Sequence, residues 1–196
     1  MMSYYQFLPT QPLTDAVRIS QPVPPKQVTL ESQAFNVMTD LRHINAAVIE
    51  PHVTMELANT YMIQRGLRLL FVLNQNHTLA GIITATDILG EKPLRFIQER
   101  SIKHCEILVS DIMTPLDKLE AIPIEELVHA KVGNVVANLR ESGRQHTLVI
   151  ENSADDLQTI CGIFSLTQIE KQLGKIIPID EVAKTFAEIE TTVIAH

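Results

Sequence analysis

The sequence has little of several residue types that mark particular protein classes. Its two cysteines, Cys105 and Cys161, lie far apart without a CxxC spacing, so neither a disulfide framework nor a zinc site is expected. Its apolar runs are far shorter than the roughly eighteen residues that a membrane span needs, and the N-terminus lacks a basic region followed by an apolar block. These absences predict a protein of the reducing cytoplasm with no membrane partner.

Basic residues are also scarce. Lys and Arg number 16 against 23 Asp and Glu, for a formal charge of -7, which argues against nucleic acid as a partner because phosphate-backbone binding needs a basic face. A small anionic ligand remains compatible with this balance, since one arginine or one helix N-terminus can bind a phosphate. The hydrophobic content of 45% is enough for one or two compact cores.

Motifs of catalysis are missing from the sequence. The seven histidines are scattered, and HExxH, GxSxG and GxxxxGK[ST] do not occur. Cys161 precedes a glycine in a predicted strand, which is typical of a buried structural thiol. We therefore expect no enzyme, no catalytic residues, no metal and no obligatory cofactor.

The two ends of the chain differ from its middle. Five of the ten prolines fall within the first 25 residues, which predicts an extended Pro-rich arm over residues 1–34. Residues 175–196 predict an amphipathic C-terminal helix, with four apolar residues on one face: Val182, Phe186, Ile189 and Val193.

The middle contains an internal repeat. The segment NVMTDLRHINAAVI at 36–49 aligns with DIMTPLDKLEAIPI at 111–124 through their Met-Thr pairs. Each is followed by a helical pattern that ends at a glycine, at 54–66 and at 131–143. Each helix leads to two strands and a second helix; the strands are LRLLFVLN and LAGIIT in the first unit, and QHTLVIEN and ICGIFS in the second.

This repeat predicts an α/β (α+β) fold of two β-α-β-β-α units, packed through their sheets with pseudo-twofold symmetry. We assign residues 35–100 to the first unit and 101–174 to the second, which includes part of a helical connector at 91–109.

The last strand of each unit ends in a hydroxyl residue three positions before a polar residue. These pairs are Thr84 with Asp87, and Ser165 with Gln168. The spacing is that of a capping box, which contributes about 1 kcal/mol to a helix. A carboxylate in that first turn is also suited to accept hydrogen bonds from a ribose diol, so the pattern leaves both a cap and a ligand site open.

The duplicated unit, the openers VMTD and DIMTP and the endings GIITATDI and GIFSLTQI resemble a pair of cystathionine-β-synthase (CBS) domains, also called a Bateman module, over residues 36–174. The resemblance implies a stand-alone regulatory protein that binds AMP, ADP, ATP or S-adenosylmethionine between its units. It also implies a homodimer of four units in a flat disc.

The resemblance further implies site residues. Thr84 would face a phosphate and Asp87 the ribose, and the adenine pocket would draw on two segments, with Ala47, Ile49 and Pro51 in one and Arg68 and Leu70 in the other. A weaker second site would use Ser165, Arg144 and His146, with Gln168 in place of the expected carboxylate. The adenine nucleotide would be a regulatory ligand that switches the conformation of the dimer or of an unidentified protein target. The alternative is a ligand-independent interaction scaffold that uses the N-terminal arm and the C-terminal helix.

Overall fold

The computed structural model describes residues 8–15, 17–20, 26–153 and 157–178, which include two four-stranded sheets. Two successive β-α-β-β-α units supply most of the strands and helices, and the fold class predicted from the repeat is confirmed. The first unit contains β2 (Val48–Ile49), α1 (Met55–Arg65), β3 (Leu69–Leu73), β4 (Leu79–Thr84) and α2 (Ala85–Leu89). The second contains β6 (Ala121–Pro123), α5 (Val132–Ser142), β7 (His146–Asn152), β8 (Gln158–Ser165) and α6 (Leu166–Leu173).

In the described residues, two more strands and two more α-helices flank the elements of these units. They are β1 (Met38–Asp40), α3 (Lys92–Arg100), α4 (Val109–Ile112) and β5 (Thr114–Pro115). The predicted connector therefore contains a helix, α3, followed by a 3-10 turn at His104–Glu106. The helix predicted over residues 175–196 lies outside the described residues beyond position 178. Positions 1–7, 16 and 21–25 of the predicted arm also lie outside them.

Helix ends follow the local sequence signals. Thr54 caps α1 by accepting a hydrogen bond at its Oγ1 from the amide of Leu57, at 3.4 Å. The α1 and α5 helices end at Gly66 and Gly143, whose φ values of 64° and 58° lie in the left-handed region that glycine adopts without steric cost.

The alternation of side chains along β3 explains how the two sheets pack. Leu70 and Val72 point to the helices of their own unit and are buried in its core. Leu69 and Phe71 point the other way, into a cluster that also contains Leu148 of the second unit. The sheets therefore meet face to face across an apolar interface, as the sequence predicts.

Strand pairing exchanges segments between the units. The β1 strand, which opens the first unit, pairs antiparallel with β8 of the second. In the same way β5 opens the second unit and pairs antiparallel with β4 of the first. Thr39 lies opposite Ile163 and Thr114 lies opposite Ile82, so the two Met-Thr pairs occupy equivalent positions, as their alignment predicts.

The ungapped alignment is wrong beyond these pairs. Val48 of β2 pairs with Phe71, and its structural equivalent in β6 is Ala121, which pairs with Leu148. The first unit therefore has two more residues than the second between its exchanged strand and its edge strand. A loop absorbs this difference at little cost because it leaves both strand registers intact.

Candidate functional site

Thr84 and Asp87 form a reciprocal capping box where β4 ends and α2 begins. The amide and the Oγ1 hydroxyl of Thr84 donate hydrogen bonds to Oδ2 of Asp87, at 2.8 and 2.6 Å. The amide of Asp87 donates in return to Thr84 Oγ1, at 3.3 Å. The box fixes the Asp87 side chain, which is only 10% exposed, at the end of the strand.

Lys92 completes the surroundings of this carboxylate. Its Nζ donates a hydrogen bond to Oδ1 of Asp87, at 2.5 Å, and another to the carbonyl oxygen of Ile112, at 3.2 Å. The lysine starts α3, beyond the glycine that ends α2. Its role has no signal in the sequence pattern, because a contact across a helix end follows neither helical nor strand periodicity.

The equivalent pair in the second unit behaves differently. Ser165 precedes α6, but its side chain makes no capping hydrogen bond. The prediction that Ser165 and Gln168 form a capping box is therefore wrong. The backbone differs at this position, with a ψ of 126° at Ser165 against 162° at Thr84, and the Ser165 hydroxyl is not brought to the helix amides.

His146 of the second unit is influenced by charged residues of the first. It begins β7 opposite Ser165, at the position that Leu69 occupies in the first unit. Burial and the positive charge of Arg68 lower the pKa of His146 to about 4, against the opposing effect of Asp87. The imidazole is therefore neutral at physiological pH. The charges of Arg68 and Asp87, both in the first unit, therefore act on a side chain of the second unit.

A cavity of about 90 Å³ lies at this end of β7, and Arg144 and His146 are among its lining residues. The segment that enters β6, through Glu120 and Ala121, forms another part of its wall. An adjoining, more open pocket of about 430 Å³ shares Ile122 with the cavity. The residues that line this cavity belong to the second unit, and the charge of Asp87 in the first unit acts on one of them, His146.

The remaining predicted residues occupy the far edge of the first sheet and the strand beside it. The carbonyl of Ala47 accepts a hydrogen bond from the amide of Phe71, at 2.9 Å, and that of Pro51 accepts one from Ser110, at 2.9 Å. Ile49 and Leu70 pack in the core on the helix side. Arg68 is exposed, and its carbonyl accepts a hydrogen bond from the amide of Ala85.

Other site types find no support within the described residues. No group of three or more His, Cys, Asp or Glu in this part of the chain is arranged to hold a metal ion. None of the helices in the same residues is long and apolar enough to cross a membrane. Cys161 is buried, and burial raises the pKa of its thiol, which donates to the carbonyl of Val149.

Comparison with protein families gives one match. Residues 34–93 match the family model described as "CBS domain". They span the exchanged strand β1, the first unit and the start of α3. A search of curated proteins returned no significant match.

Solved structures that match with a TM-score above 0.5 support the fold. An uncharacterized conserved protein from Pyrococcus horikoshii matches with a TM-score of 0.53 and 20% identity, over 77% of this chain and 98% of that one. MJ1225 from Methanocaldococcus jannaschii, described as a putative archaeal homologue of γ-AMPK, matches with a TM-score of 0.51 and 15% identity, over 72% of this chain and 49% of that one. CBSX2 from Arabidopsis thaliana in complex with AMP gives a TM-score of 0.49 and 20% identity, over 70% and 93% of the two chains.

Proposed function

Because the chain carries a CBS domain at residues 34–93 and repeats its β-α-β-β-α unit, we propose that it is a regulatory module that binds an adenosine-containing nucleotide between its units. The observation that carries the proposal is the Asp87 carboxylate, which the capping box fixes at the end of β4, together with the cavity lined by Arg144 and His146 in the other unit. In this proposal the module is a sensor and has no catalytic role. Its ligand would be AMP, ADP, ATP or S-adenosylmethionine.

These groups suit the parts of a nucleotide. The Asp87 carboxylate is fixed by Thr84 and can accept hydrogen bonds from the two hydroxyls of a ribose. Arg144 lines the cavity and provides a guanidinium that can pair with a phosphate. At present Arg144 donates to the carbonyl of Lys118, at 3.3 Å, a single bond that a phosphate can replace. Because His146 is neutral, Arg144 is the cation that lines the cavity, and the ammonium of Lys92 stands at Asp87.

In this proposal the two units contribute different parts of one site. The ribose carboxylate comes from the first unit, and the wall of the cavity comes from the second. We therefore propose that Arg144 and His146 serve the site of Asp87, in addition to their position near Ser165. Ligand binding would then depend on the relative placement of the units, which is how a ligand biases a conformational equilibrium.

We also propose that the module works as a homodimer in the cytoplasm. Several large apolar side chains are exposed on the first unit's helices and on α3 that follows them, including Leu57 at 58%, Ile63 at 72%, Leu89 at 74% and Leu94 at 62%. Apolar side chains on neighbouring helices are suited to self-association or to a protein target. Two free cysteines, Cys105 and Cys161, fit a reducing compartment.

The test is calorimetric titration of the nucleotide-stripped chain with adenosine, AMP, ADP, ATP and S-adenosylmethionine. We expect at least one of them to bind. Arg144→Ala should weaken a phosphorylated ligand about tenfold, the scale of one lost charge-assisted hydrogen bond. Arg140→Ala, on the exposed side of α5, is the matched control. Absence of binding by every compound at millimolar concentration would reject the proposal.

A further inference from the structure

The Asp87 carboxylate already has a cationic partner in the chain itself. Oδ2 accepts hydrogen bonds from the amide and hydroxyl of Thr84, and Oδ1 accepts one from Lys92. Lys92 is held from two sides, because its ammonium also donates to the carbonyl of Ile112 at the end of α4. The position at Oδ1 that a ribose hydroxyl would need is therefore occupied by the ammonium of Lys92.

We propose that Lys92 is a built-in competitor that sets the affinity and selectivity of this site, an inference that rests on the proposed nucleotide function. A ribose diol reaches the carboxylate by displacing the ammonium from Oδ1. The displaced ammonium is left beside the ligand without its carboxylate. A phosphate on the ligand restores an anionic partner for it, whereas a neutral nucleoside does not.

Within its described residues, the second unit has no equivalent of the Lys92–Asp87 pair, although it keeps a similar side-chain contact to a backbone carbonyl. Gln172 on α6 donates from Nε2 to the carbonyl of Asn36, at 3.2 Å, and so holds α6 to the residues that precede β1. Lys92 makes the corresponding contact to Ile112, which precedes β5. Five positions after Gln168, where Lys92 stands in the first unit, the second unit has Leu173. In both units a side chain therefore holds the segment before the exchanged strand, through Lys92 and Ile112 in one and Gln172 and Asn36 in the other. An ammonium at a carboxylate occurs in the first unit.

The expected size of the effect follows from exposure. The Lys92 side chain is 49% exposed and that of Asp87 is 10% exposed, so the pair is only partly shielded from water. Its removal should strengthen adenosine binding about fivefold. AMP should gain less, because the ammonium that is lost would also have paired with its phosphate. Lys92 thereby raises the ratio of AMP affinity to adenosine affinity.

The experiment compares adenosine and AMP binding to the full, nucleotide-stripped chain and to Lys92→Met, with Lys171→Met on the exposed side of α6 as control. We expect Lys92→Met to bind adenosine more tightly and to lose part of its preference for AMP, and Lys171→Met to behave as the parent. Raising the salt from about 50 to about 500 mM should strengthen adenosine binding to the parent, by screening the Lys92–Asp87 pair, and leave Lys92→Met unchanged.

Two results would overturn the inference while leaving the proposed function in place. One is equal adenosine affinity in the parent and Lys92→Met. The other is weaker adenosine binding in Lys92→Met, which would make Lys92 a direct ligand contact. If the parent and all variants fail to bind either compound, the proposed function itself is wrong and the competition has no ligand. In that case hydrogen exchange of the Met113 amide still tests whether Lys92 holds the carbonyl of Ile112. Loss of this contact in Lys92→Met should accelerate the exchange.

Discussion

Replacing Asp87 by alanine should destabilise the protein even without a ligand. The substitution takes from the amide and hydroxyl of Thr84 their acceptor and from Lys92 its carboxylate. Loss of the cap costs about 1 kcal/mol. Loss of the ion pair adds about 1 kcal/mol, because half of the Lys92 side chain remains hydrated. The sum of about 2 kcal/mol corresponds to a decrease of about 4–8 °C in Tm for a chain of this size.

The assay is urea unfolding of the nucleotide-stripped parent and variant, with the free energy of unfolding taken from the midpoint at unchanged slope. Gln168→Ala is the matched control, because it removes the equivalent residue in a unit where Ser165 makes no side-chain cap. Its cost should be about 0.5 kcal/mol or less. Equal losses in the two variants, or no loss in Asp87→Ala, would refute the asymmetry between the two helix starts.

Three further predictions test the fold, the pH dependence and the assembly. Gly81→Ala should cost about 2 kcal/mol or more in the free energy of unfolding, since its Cβ would lie 2.3 Å from the Thr114 carbonyl oxygen. Gly162→Ala should cost less, because it meets the flexible Met38 side chain, and equal costs in urea unfolding would contradict this. Stability should fall as the pH is lowered from about 6.5 to about 4, since the unfolded chain binds a proton at His146 before the folded chain does. His146→Gln should flatten this part of the pH profile, and an unchanged profile would argue against it. Light scattering should give about twice the chain mass of 22.0 kDa, and a mass near 22.0 kDa would exclude the homodimer.

The duplicated architecture could be predicted because it depends on local signals that occur twice. Helix-ending glycines, alternating strands and the Met-Thr pairs are each weak alone, and their repetition in the same order makes them specific. The exchange of β1 and β5 could not be predicted, because strands of three and two residues have no measurable period. The two-residue difference between the loops before β2 and β6 could not be predicted either, because only the strand pairing shows where the alignment must shift.

Part of the candidate site could be predicted from the sequence and part could not. Thr84 and Asp87 stand at a recognisable spacing, and the structure joins them as that spacing predicts. Lys92 reaches the carboxylate from the next helix, through a contact that depends on how α2 and α3 turn. The influence of Asp87 on His146 depends on the packing of one sheet against the other, which no local pattern encodes.

The most direct test of the account is a titration of the isotope-labelled, nucleotide-stripped protein with AMP, followed by amide NMR. If the nucleotide binds between the units, the amides of Thr84 and Asp87 should shift together with those of Ala121 and His146, with one common dissociation constant. Asp87→Asn should weaken all of these shifts in parallel. Shifts confined to one unit, or the absence of any saturable shift, would contradict a shared nucleotide site.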